Sequence, residues 1–107
     1  KNYSPEMYAK LTDNFFSYLL RYKHLFPEDW VKDKILDRFG FKPNTINFND
    51  RIAVRKFKRD FFQRLGDFLK ERKKVLDRDI ETGIGICDEN VRGYNRFIKE
   101  LEKLPTQ

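Results

Sequence analysis

The chain has 107 residues, 39% of them apolar and 37% charged, with eleven Phe, five Tyr and one Trp able to close a core from few positions. That composition excludes a disordered chain, no apolar run approaches the roughly 20 residues of a membrane span, and Cys87 and His24, each the only one of its kind, exclude an internal disulfide and a structural zinc ligand set. The net charge of +6 is concentrated: residues 51–78 hold eleven bases against four acids, leaving −1 over the remainder.

Length fits a single domain, residues 1–107, and the lone cysteine points to a reducing, cytoplasmic setting. The opening Lys1-Asn2-Tyr3-Ser4-Pro5, without an initiator Met or an apolar signal core, reads as a piece of a longer protein. Ser4-Pro5-Glu6 supplies a capping hydroxyl, a proline at the first helical position and an acid in the first turn, which together start a helix. Tyr8, Leu11, Phe15, Tyr18, Leu19 and Tyr22 form its apolar stripe, and it is expected to end near His24. Pro27-Glu28-Asp29 restarts a shorter helix, with Trp30, Val31, Ile35 and Phe39 facing inward and Gly40 as its stop.

Residues 41–50, with Pro43 and three asparagines, read as an extended connection. A long helix follows through about Leu76 on Phe57, Phe61, Leu65, Phe68, Leu69 and Leu76, and Gly66 in its interior suggests close packing. Thr82-Gly83-Ile84-Gly85 predicts a flexible loop over residues 77–87. Asp88 then caps a last helix carrying Val91, Tyr94, Phe97, Ile98, Leu101 and Leu104, closed by Pro105. The pattern is all-α, with four helices and no convincing strand pair.

Catalytic motifs are weak. Gly83-Ile84-Gly85 is too short for a dinucleotide fingerprint, His24 sits where a cation favours a helix end, and Cys87 has no histidine near it in sequence. Pairs such as Asp67 with Lys70 and Glu71 with Lys74 read as solvated ion pairs on a helix face. The last helix presents Asn90, Arg92, Asn95, Arg96 and Lys99 off its apolar stripe, and two readings fit: a face that neutralises phosphates and reaches base edges in a major groove, or a merely solvated outer face. Regularly spaced Phe and Tyr are assigned to the core.

Two stretches share a pattern. Ser4-Pro5-Glu6-Met7-Tyr8-Ala9-Lys10-Leu11 precedes Phe15-Phe16-Ser17-Tyr18-Leu19, and Cys87-Asp88-Glu89-Asn90-Val91-Arg92-Gly93-Tyr94 precedes Phe97-Ile98-Lys99-Glu100-Leu101. Between them stands Phe61-Phe62-Gln63-Arg64-Leu65-Gly66-Asp67-Phe68-Leu69-Lys70-Glu71-Arg72, introduced by Thr45-Ile46-Asn47-Phe48-Asn49-Asp50. This order resembles the SAM-like core-binding domain of tyrosine recombinases and phage-type integrases, in the versions carried by mobile elements of the Bacteroides group. In that family the pattern opens two of the helices. Cys87, Asn90 and Leu11 depart from the usual Ser, Thr and Tyr, and the Phe26–Lys42 segment is longer than the usual connection.

The resemblance implies a four- to five-helix orthogonal bundle that clamps one face of duplex DNA, while a separate downstream catalytic domain of the same chain closes on the other. It implies a non-catalytic, monomeric domain with no cofactor, no metal and no membrane partner. The matching positions for DNA contact are Lys10, Asn14 and Arg21 on the first helix and Arg92, Asn95, Arg96 and Lys99 on the last; Lys73 and Lys74 join them by charge alone. A small helical protein-interaction module is the alternative. A generic helix-turn-helix regulator is a weaker one, because the loop expected over residues 77–87 is too long for that motif's turn.

Overall fold

Ser4 does what its sequence context predicts: its Oγ accepts from the Met7 backbone N–H at 3.3 Å, and Pro5 opens helix α1, Pro5–Leu20. The computed structural model describes residues 4–26, 31–42, 46–72 and 78–104. They fall into two compact units, Lys1–Asn49 and Asp50–Gln107. Among the described residues the regular structure is entirely helical.

In the first unit, Leu11, Phe15 and Leu19 recur every fourth residue and are buried, and a 3-10 turn, Lys23–Leu25, carries exposed His24. Tyr18, expected in the stripe, lies on the exposed side of α1, because the buried arc is only wide enough for the four-residue row. The short helix α2, Lys32–Arg38, buries Ile35 and Leu36. Val31 precedes it as an exposed N-cap residue and does not face inward as expected; Pro27, Glu28, Asp29 and Trp30 lie outside the described residues.

Gly40 terminates α2 as its position predicts. It adopts φ 92°, a left-handed conformation that a Cβ disfavours, and the Gly40 N–H donates to Asp37 O while the Phe41 N–H donates to Leu36 O, both at 3.0 Å. This closing pattern brings Phe41 inward, where its ring meets Phe15 at 5.8 Å and Tyr8 at 6.3 Å between centroids. Lys32 links the two helices, pairing with Asp13 at 3.2 Å and lying 4.9 Å from the Phe16 ring centroid.

The second unit is a pair of long helices, α3 (Arg51–Glu71) and α4 (Arg78–Glu102). Asp50 caps α3, its Oδ1 accepting from Ile52 N and Ala53 N, each at 3.0 Å. Lys70 meets Asp88 at 3.3 Å, Phe62 stacks with Tyr94 at 6.2 Å, and Lys56 meets Glu102 at 3.7 Å. Falling numbers on α3 pair with rising numbers on α4, so the helices run antiparallel. Gly66 is buried against Cys87: a Cβ built on it would sit 3.2 Å from Cys87 Cβ, the close approach its place in the helix suggests.

The loop expected over residues 77–87 is helical from Arg78 onward, and Asp88 stands inside α4 instead of capping it. Two glycines each cost roughly 1 kcal/mol in a helix interior. Ile80, Gly83 and Cys87 are buried, and they continue the apolar spacing of Val91, Tyr94 and Ile98 back through Thr82-Gly83-Ile84-Gly85, so tertiary burial outweighs local propensity. The second copy of the shared pattern therefore lies within a helix and opens none. The expected end of α3 near Leu76 lies outside the described residues, the helix being described through Glu71.

Candidate nucleic-acid interface

The helical period of α4 places Arg92, Asn95, Arg96 and Lys99 on one face, opposite buried Ile98 and the partly buried Val91, Tyr94 and Leu101, and all four are exposed. Arg92, Asn95 and Arg96 line a shallow surface groove with Glu89. Arg92, Arg96 and Lys99 make no hydrogen bond or ion pair among the described residues.

Several bases of the charge-rich middle segment are used internally. Lys56 and Lys70 pair across to α4 at 3.7 and 3.3 Å, and Arg59 Nη2 pairs with its neighbour Asp60 at 2.9 Å. Arg55 lies over the Phe97 ring at 5.6 Å and Arg72 over Phe68 at 3.6 Å. The expected Asp67–Lys70 pair is replaced: Lys70 turns to Asp88, while Asp67 accepts from Gln63 Nε2 at 3.3 Å. Glu71 has its expected partner, Lys74, outside the described residues.

Lys10 and Asn14 on α1 and Arg21 at its C-cap are exposed and, by their spacing, share a face, but they belong to the first unit. Lys73 and Lys74 lie outside the described residues. The structure thus brings together the four α4 positions as one cluster. It adds Arg59, whose Nη1 donates to Asn95 Oδ1 at 3.2 Å across the helix pair. No local sequence signal links those two residues, which are 36 apart.

Cys87 is 2% exposed, and burial, reinforced by the Asp88 charge, pushes its thiol up to about 12, so it stays protonated and inert near neutral pH. Its expected place at a helix start is corrected to mid-helix, against Gly66. Among the described residues no group of three or more His, Cys, Asp or Glu could hold a metal, and no helix is long and apolar enough to cross a membrane. Phe97, assigned to the core by spacing, is 59% exposed, lying at the margin of the α3–α4 contact where the Arg55 guanidinium reaches its ring.

Comparison with protein-family models, with curated proteins and with solved structures finds no match to this chain.

Proposed function

We propose that the chain is a non-catalytic, helical DNA-binding domain in which the outer face of α4 grips the duplex. The observation that carries this reading is the cluster of three cations, Arg92, Arg96 and Lys99, exposed on one helical face and unpaired among the described residues while neighbouring bases on α3 are consumed in internal pairs. Such a cluster neutralises phosphates and releases counterions. The recombinase setting, in which a downstream catalytic domain closes the other half of a clamp, rests on the resemblance carried by residues 4–19, 45–50, 61–72 and 87–101.

Labelled duplex titrated by fluorescence anisotropy tests the reading. Binding is expected near micromolar or weaker at physiological salt, falling steeply between about 50 and 200 mM. Arg92→Ala with Arg96→Ala removes two phosphate contacts, so the slope of log affinity against log salt should shrink by roughly 1.8, about a twelvefold smaller loss over that fourfold salt range. Parent binding that ignores salt, or a double variant with the parent's slope, overturns the assignment to α4. Suicide substrates should trap no covalent protein–DNA adduct, because a phosphotyrosyl step needs an activated nucleophile beside several cations.

A second reading, a protein-interaction module, is favoured by exposed Ile86 and Phe97 on another side of α4 and by exposed Leu104 just past its end. Phe97→Ser separates the two, since it removes the apolar surface and leaves Arg92, Arg96 and Lys99 in place.

A further inference from the structure

Asn95 is the only neutral side chain among the four that share the exposed face of α4, and its hydrogen-bonding character is set from α3. Arg59 Nη1 donates to Asn95 Oδ1 at 3.2 Å. The same guanidinium is held on Asp60 Oδ1 by Nε at 3.0 Å and by Nη2 at 2.9 Å, which fixes the plane of the fork. With its side chain 28% exposed, Arg59 is the more enclosed partner of the Arg59–Asp60 pair. The carbonyl end of the Asn95 amide therefore faces a cation, and the Nδ2 group keeps two N–H donors with no acceptor among the described residues.

An amide that reads adenine uses both ends, donating to N7 and accepting from the N6 amino group. Here that amino group would have to use the carbonyl's second lone pair beside a guanidinium that already donates to the first, crowding two donors, one of them cationic, onto one oxygen. The charge on the carbonyl side also polarises the amide and strengthens its N–H groups as donors. Arg92, Arg96 and Lys99, the other members of the face, have donors and no acceptors. Glu89, the one acid lining the groove, marks the edge past which a phosphate is repelled.

We propose that Arg59 is a positioning residue that holds Asn95 as a hydrogen-bond donor, so that the α4 face grips the phosphate backbone of duplex DNA without reading adenine. This rests on the DNA-binding reading above and specifies the chemical group that is gripped.

The test uses the full chain and two labelled duplexes of about 20 base pairs, one alternating A·T and one alternating G·C, at about 50 mM salt. Affinities for the two should agree within about threefold, whereas a bidentate adenine contact separates them by roughly five- to 150-fold. Arg59→Met frees the Asn95 carbonyl, and an A·T preference of about fivefold or more should emerge. Arg59→Lys keeps a cation able to donate to Oδ1 and should restore equality. Asn95→Asp keeps the link to Arg59 but replaces donors with charge, so both duplexes should lose about tenfold or more in affinity at unchanged Tm. A parent preference for A·T that Asn95→Ala abolishes overturns the donor assignment and leaves DNA binding standing. A parent preference for G·C of about fivefold or more overturns the backbone grip, and an Arg59→Met variant that stays indifferent overturns the positioning role. Absence of salt-sensitive binding to either duplex removes the DNA reading itself.

Discussion

Gly66, Gly83, Gly85 and Gly93 sit inside the long helices, and alanine at Gly66 should behave differently from alanine at Gly85 or Gly93. A Cβ added at Gly85 or Gly93 meets nothing within 4 Å, so alanine there should return the helix-propensity difference of about 0.8–1 kcal/mol, or roughly 4–6 °C in Tm for a chain of this size. At Gly66 the new Cβ lies 3.2 Å from Cys87 Cβ, inside the ordinary 3.5–4.0 Å carbon contact. Neither Cβ can rotate away, and Cys87 is buried, so α3 and α4 must part by a few tenths of an ångström along a seam that also holds Phe62 and Tyr94. Overpacking of this kind costs about 1–3 kcal/mol, which cancels or exceeds the propensity gain. Gly66→Ala should therefore fall at least about 1 kcal/mol below Gly85→Ala in urea unfolding followed by far-UV circular dichroism. In a Cys87→Gly background the penalty should disappear, giving a coupling of about 1 kcal/mol in the double-mutant cycle. A Gly66→Ala variant as stabilised as Gly85→Ala refutes the close approach of α3 and α4. A Gly85→Ala variant with no gain refutes the continuous helix through Thr82–Gly85.

Tyr94→Ala removes a partly buried ring stacked 6.2 Å from Phe62 and should cost about 2–3 kcal/mol, somewhat below a fully buried aromatic, read as a shift in urea midpoint at unchanged slope. Asp50→Ala strips the cap from two backbone N–H groups of α3 and should cost about 1 kcal/mol, with Asp50→Asn recovering most of it. The Cys87 thiol, raised from 9.0 to about 12, binds its proton more tightly folded than unfolded, so its contribution to stability is whole below about pH 9 and is lost as pH climbs toward 12. Stability measured between about pH 9 and 10.5 should fall less steeply for Cys87→Ala than for the parent, and a thiol reagent at pH 8 should label the parent only as it unfolds. Parallel slopes, or rapid labelling of the folded chain, contradict that burial.

Local chemistry was enough to place much of the helical framework. The start of α1 follows from Ser4-Pro5-Glu6, whose groups act within one turn, and the end of α2 follows from Gly40, whose missing Cβ admits a φ of 92°. Asp50 caps α3 in the structure, where the sequence reading gives only an extended connection over residues 41–50. Helical spacing also separated Arg92, Asn95, Arg96 and Lys99 from Ile98, because a period of 3.6 divides a face without reference to any partner. Spacing did not reveal how wide each buried arc is, and so Tyr18 and Phe97, which lie at the margins of their stripes, were placed inward and stand exposed. The first turns of α4 were decided by tertiary burial: two glycines argue for a loop on propensity, and burying Ile80, Gly83 and Cys87 reverses the balance. The polar links across the helix pair belong to the same category. Lys70 chooses Asp88, 18 residues away, over Asp67, and Arg59 reaches Asn95 across 36, because antiparallel packing makes neighbours of residues that no helical period connects.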